Sequence, residues 1–155
     1  MIIPGYALKI IDRIKNIFKL SQGEYIVSEK LERVYEQSAY IAQVFIHGDS
    51  LRNHIVGIAY PEFSTLKEFC IRNNLPNNDT LDSILSNHYD EVSKLIEQDL
   101  NRLAEENKFN SLEKVKKNFR LVKNEFEVGT ILTPTMKLRR NEAKKYFADI
   151  IEEIY

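Results

Sequence analysis

Two apolar runs set the pattern of this chain: residues 40–47 (YIAQVFIH) and 55–60 (IVGIAY). Both are rich in β-branched and aromatic residues, and both are short, which predicts buried strands. Gly48-Asp49-Ser50 and Arg52-Asn53 lie between them, a polar loop that makes the two strands antiparallel. Pro61 ends the second. On either side the apolar spacing changes to that of helices. Leu31, Val34 and Tyr35 share one face of a helix over 28–37. Val92, Leu95, Ile96, Leu100 and Leu103 form the apolar stripe of the longest helix, 87–106. Ala143, Phe147, Ile150, Ile151 and Ile154 do the same for a final helix, 141–154.

The intervals between these elements are also readable. Residues 8–11 predict a first strand, Asp12-Arg13 a polar turn, 16–20 a second strand and Gly23 a tight turn. An extended piece over 24–27 then enters the helix, with Ser28 as its cap. Thr65 and Glu68 have capping-box spacing, so a helix should run over 65–72. Residues 80–85 predict a short helical turn, 119–122 a strand and 125–130 a loop. No internal repeat or low-complexity tract interrupts the chain. The sum is an α+β fold: a small, mostly antiparallel central sheet with packed helices, plus an N-terminal β-hairpin. Its 155 residues are enough for one domain with a real core.

Composition adds limits. Net charge is −1, so the chain as a whole is no obvious polyanion binder. The charge is uneven, with an acidic region over 79–106. Lys108, Lys114, Lys116, Lys117, Arg120 and Lys123 cluster after it, and Lys137, Arg139, Arg140, Lys144 and Lys145 later still. These read as solvated faces, with a basic nucleic-acid-binding module or an interaction domain docking through exposed Tyr and Phe as other classes of function. The single cysteine, Cys70, allows no intrachain disulfide and reads as a small core residue. A reducing, intracellular compartment follows. No apolar run reaches the roughly 18 residues of a spanning helix. His47, His54 and His88 have no metal-ligand spacing, and no glycine-rich phosphate loop is present. The first strand starts almost at once, as in a domain cut from a longer chain.

The richest chemistry lies in residues 130–140, TILTPTMKLRR. Thr133 precedes proline and should be extended; Lys137 follows the Thr-Pro-Thr turn as a compact, mobile charge. Alone, this stretch reads as a solvated basic helix start. A distant segment changes that reading. Asp12, Arg13, Lys15, Phe18, Lys19, Leu20, Gln22, Gly23, Glu24 and Tyr25 match a pattern close to D-R-x-K-x-x-F-K-L-x-Q-G-E-Y. With LTPTxKxxR at 132–140 in the same order and separation, the chain resembles the C-terminal domain of long-chain fatty-acyl-CoA synthetases, members of the adenylate-forming ligase superfamily. The resemblance covers nearly everything after residue 6.

The resemblance implies an ATP-dependent, AMP-forming long-chain-fatty-acid–CoA ligase reaction in two steps. Fatty acid and ATP give an acyl-adenylate, and coenzyme A then displaces AMP. It implies that Lys137 is the catalytic lysine of adenylation, that Asp12 is the hinge to a large N-terminal domain, and that Arg13 reaches the nucleotide. It further implies that Lys19 assists thioester formation and that Gly23, Glu24 and Tyr25 line the coenzyme A channel. Mg2+ would be held mainly by the N-terminal domain of the same enzyme, which is the expected partner. Nucleic acid is not expected, and membrane association would come only through segments outside this chain. The fragment alone is expected to be inactive. Two positions depart from the pattern. Ser28 stands where many relatives have proline, and the glycine before LTPT is shifted, at Gly129.

Overall fold

The structure is a computed structural model that describes residues 17–155; the strand expected over 8–11 and the Asp12-Arg13 turn lie outside these residues. The two apolar runs form β3 (Ile41–His47) and β4 (Val56–Pro61), antiparallel, with Val44 opposite Ala59 and Ile46 opposite Gly57. Alternate side chains of such strands point to opposite faces, and both faces here are covered. Val44, Ile46 and Ala59 enter one apolar cluster; Phe45, Val56 and Ile58 enter another. A sheet buried on both sides needs nearly continuous apolar strands, which is the pattern these two runs show. A third strand, β5 (Phe119–Leu121), lies parallel to β4. A parallel neighbour requires a long crossover, and residues 62–118 supply it.

Before this sheet, β1 (Ile17–Lys19) and β2 (Tyr25–Val27), within the expected strand over 16–20 and extended piece over 24–27, pair as a hairpin across the Gly23 turn, with Lys19 opposite Tyr25. Gly23 turns the chain at φ +86°, where a side chain would be strained. The hairpin is anchored by buried Leu20 and Ile26. Its loop is held by Ser21 N–H donating to the Arg52 carbonyl (3.0 Å) and Gln22 Nε2 donating to that of Asn53 (2.8 Å).

Helix α1 (Ser28–Tyr35) follows β2 directly. Ser28 is not its cap, contrary to expectation. Val27 takes the extended capping conformation without a side-chain bond, and Ser28 is buried as the first helical residue. Leu31, Val34 and Tyr35 are buried as expected. Helix α2 (Phe63–Arg72) starts two residues earlier than the capping box predicted. Glu62 N–H continues the sheet bonding to the Tyr40 carbonyl (2.9 Å), so the helix turns in at Phe63. Thr65 instead donates its hydroxyl to the carbonyls of Ala39 and Glu62. Cys70 is fully buried on the inner face of α2.

Helix α3 (Leu81–Asn87) is capped by Thr80, whose Oγ1 accepts from Ser83 N–H at 3.0 Å. Helix α4 (Tyr89–Glu106) begins after His88 and buries Val92, Ile96, Leu100, Leu103 and Ala104. Side chains of α1 to α4 build the larger core on one face of the sheet. The expected single C-terminal helix is two: α5 (Arg140–Tyr146) and α6 (Ala148–Ile154), broken at Phe147. Phe147 is buried between Phe45 (ring centroids 6.3 Å) and Phe126 (5.5 Å). The helical bonding runs on through the break, with Phe147 N–H donating to the Ala143 carbonyl and Ile151 N–H to that of Phe147, both at 2.9 Å. With Ala143, Ile151, Ile131 and Leu132, Phe147 forms the smaller core on the other face. No described helix is long and apolar enough to cross a membrane.

Candidate functional site

The loop that carries Lys137 is built by local chemistry. Met136 N–H donates to the Thr133 carbonyl (2.8 Å), closing a four-residue turn with Pro134 second, the position proline's fixed φ suits. Thr133 N–H donates to the Lys137 carbonyl (2.8 Å), and Leu132 and Leu138 face each other as an antiparallel bridge. Met136 completes this small hairpin at φ +67°. A non-glycine residue there costs on the order of 1 kcal/mol, a strain often stored at working sites. Lys137 leaves the turn immediately after it. Its own N–H donates to Thr133 Oγ1 (3.1 Å), and its side chain is exposed. Among the described residues the Lys137 ammonium makes no ion pair. The shifted glycine, Gly129, lies at φ +90°, and its N–H donates to the Leu132 carbonyl (2.9 Å).

Lys137 stands on the edge of a groove of about 320 Å³ between this loop and α1. Leu132 and Phe126 are among its apolar lining residues. Gln43 fixes Phe126, accepting from its N–H (2.7 Å) through Oε1. The lining of the groove includes an ion pair that sequence reasoning did not find. Glu32, 5% exposed, accepts from Arg140 Nη1 (3.0 Å) and Nη2 (2.6 Å), and from Ile46 N–H (2.9 Å). Such a two-pronged contact is strong and geometrically specific. Burial pushes the Glu32 carboxyl above its ordinary range, against the opposing pull of Arg140 and the Ile46 amide. Glu36, on the same groove, is also raised, by burial first and by the charge of Glu32 second. A signal for Glu32 was available. It lies four residues after Ser28 and three before Tyr35, on the buried stripe of its helix.

The other candidate residues sit elsewhere. Lys19, Gly23, Glu24 and Tyr25 are all exposed on the β1–β2 hairpin. The Lys19 ammonium lies over the Tyr25 ring, 5.7 Å from its centroid. None of the four lines the Lys137 groove. The candidate residues therefore lie on two separate surfaces and are not brought together in one centre. Asp12 and Arg13 lie outside the described residues. Among the described residues no group of three or more His, Cys, Asp and Glu is arranged to hold a metal ion. The late basic cluster is partly neutralised, with Lys114 paired to Glu105, Arg120 to Glu153 and Lys123 to Asp82.

The chain is 40% identical over 154 residues to long-chain-fatty-acid–CoA ligase 5 of Rattus norvegicus, and 38% identical to ligase 6 of Homo sapiens. Each match covers 99% of this chain and 22% or 21% of the relative, so the chain spans about a fifth of their length. Its fold is similar to part of the adenylation domain of a carboxylate reductase from Mycobacterium chelonae. There the TM-score is 0.76 and the identity 26%, over 92% of this chain and 20% of that one. A second likeness is to the corresponding domain from Segniliparus rugosus, solved with AMP and a co-purified carboxylic acid. Its TM-score is 0.73 at 25% identity, over the same shares of the two chains. No family model matches the chain.

Proposed function

We propose, on the premise that this chain is homologous to the long-chain-fatty-acid–CoA ligases and has the fold of the C-terminal domain of adenylate-forming enzymes, that it is the mobile lid of such a ligase, with Lys137 as the lysine of its adenylation step. The observation that carries this reading is the placement of Lys137: on a tight turn, exposed, and with no ion pair among the described residues.

In the proposed reaction a fatty-acid carboxylate attacks the α-phosphorus of ATP and pyrophosphate leaves. Two anions must approach, and charge accumulates on the phosphoryl oxygens. A positioned ammonium offsets their repulsion and follows the charge into the transition state. An arginine fork favours a flat bidentate partner, whereas a lysine tip fits one crowded point. The remainder of the enzyme, about four-fifths of the relatives' length by the shares above, would hold ATP, Mg2+ and the fatty acid. Asp12 would serve as the hinge and Arg13 as a nucleotide contact.

The separation of the two surfaces supports a second role. After adenylation the lid would turn and present the β1–β2 hairpin, where Gly23 lets the backbone approach the pantetheine arm of coenzyme A. Glu24 and Tyr25 would line that channel, and Lys19 would polarise the acyl phosphate as the thiol attacks. Such rotation is a gating step of the kind that often limits turnover. A reaction using ATP and coenzyme A would put the full-length enzyme inside the cell.

The test is Lys137→Met in the full-length enzyme. Fatty-acid-dependent ATP–pyrophosphate exchange should fall by about 10²- to 10³-fold, while thioester formation from supplied acyl-adenylate stays near normal. Equal loss in both half-reactions, or no loss in exchange, would overturn the assignment.

A further inference from the structure

We infer that Glu32 and Arg140 form a positioning clamp for the catalytic lysine, so that adenylation depends on an ion pair that touches no substrate; the inference rests on the role proposed above for Lys137. The turn at 133–137 closes on itself through its own backbone bonds. Those bonds shape the loop but do not orient it on the domain. Ile131 and Leu138, packed into the smaller core, contribute to that, and so do two anchors at the feet of the loop. At the N-terminal foot, Leu132 is buried in the smaller core. At the C-terminal foot, Arg140 is locked to Glu32 by two bonds, of 2.6 and 3.0 Å. Arg140 follows Lys137 by three residues, at most about 10 Å of extended chain. Any play in the clamp is therefore passed almost directly to the lysine.

The clamp is itself held firmly. The third bond to the Glu32 carboxylate comes from Ile46 N–H, in β3, an edge strand of the three-stranded sheet. Glu32 sits mid-helix in α1, whose stripe is seated in the larger core. Through one carboxylate the lysine loop is referenced to both the sheet and the helix. Because α1 continues directly from β2, the same pair fixes the lysine loop relative to the hairpin. One rigid body then carries both functional surfaces through the proposed rotation. Arg140 is suited to this task where lysine is not, since only the planar fork meets both carboxylate oxygens at once.

Glu32→Gln and Arg140→Lys in the full-length enzyme test the idea. Each keeps a partial hydrogen bond and spares the fold more than truncation would. Displacement of a catalytic group by about 1 Å costs on the order of 10²-fold. Exchange should therefore lose about 10- to 100-fold in kcat, with the KM for ATP changed by less than about twofold, as expected when orientation rather than binding is lost. Thioester formation from supplied acyl-adenylate should remain within about twofold, and unfolding midpoints should show both variants folded at assay temperature. Unchanged exchange in folded variants overturns the clamp while leaving the Lys137 assignment intact. Equal loss in both half-reactions overturns it too, by reducing the pair to general stability. If Lys137→Met in parallel leaves exchange unaffected, the reading of Lys137 itself has failed.

Discussion

Replacing Arg140 by methionine should cost this chain about 3 kcal/mol of stability at neutral pH, and the cost should shrink in acid. The Glu32 carboxylate accepts three hydrogen bonds, two from Arg140 and one from Ile46 N–H. The substitution leaves one. Hydrogen bonds to charged groups contribute about 1.5–3 kcal/mol each, and breaking a buried pair by removing one partner costs about 3–5 kcal/mol. The Arg140 side chain is 21% exposed, so water partly refills its place and the lower end applies. The pH dependence follows from the carboxyl. Burial already raises it, and loss of Arg140 raises it further. Between the ordinary glutamate range, about 4.3, and that raised value, the folded chain keeps a proton the unfolded chain has lost. Stability therefore falls as pH rises through this window, and the penalty is complete above it. Urea unfolding at pH 5 and pH 7.5 measures both effects. With a slope of about 1–3 kcal/mol/M, the midpoint at the higher pH should drop by roughly 1–3 M at constant slope. The double variant Glu32→Met/Arg140→Met should recover much of the loss, because no charge is left stranded. A neutral-pH cost below about 1 kcal/mol, the same cost at both pH values, or a double variant as poor as the single would refute this account.

Other consequences are equally direct. Phe147→Ala removes a ring buried between Phe45 and Phe126 and should destabilise the chain by about 3–5 kcal/mol in denaturant unfolding; a loss under about 1 kcal/mol would show that the smaller core collapses onto the gap. His47 is held below its ordinary value, by burial first and by Lys144 second, with Asp49 opposing. The unfolded chain then binds the extra proton, so the His47 contribution is present above about pH 6.5 and is lost as pH falls toward the lowered folded value. Glu32 and Glu36, both raised, act in the opposite sense, so the discriminating measurement is the difference between the parent and His47→Asn. That difference should change between about pH 5 and 7 and stay flat above pH 7.5; a flat difference throughout would exclude His47 as the source.

The sheet strands and the longest helix could be read from sequence because the information is local. A run such as VFIH, or a stripe such as Val92, Ile96, Leu100 and Leu103, carries its period in the residues themselves. The same holds for the Gly23 turn and for the loop that offers Lys137, where proline and neighbouring threonines set the backbone. Local rules failed where another part of the chain competed. Thr65 had the spacing of a cap, yet its hydroxyl was drawn to Ala39, and sheet bonding at Glu62 started the helix early. The stripe of the last helix was right, but the backbone departs from helical geometry at Phe147 and divides the helix in two.

The parallel placement of β5 and the Glu32–Arg140 pair belong to tertiary structure alone. Nothing near residue 32 marks which of Glu29, Glu32 and Glu36 will be buried and paired, beyond a place on the apolar stripe. Its partner lies 108 residues away. By itself the sequence determined which short segments could be strand, helix or turn, and which lysine a turn would present. Only the packed chain decided which glutamate would be buried and paired, because a charge can be buried only where distant segments bring its counter-charge and hydrogen bonds together.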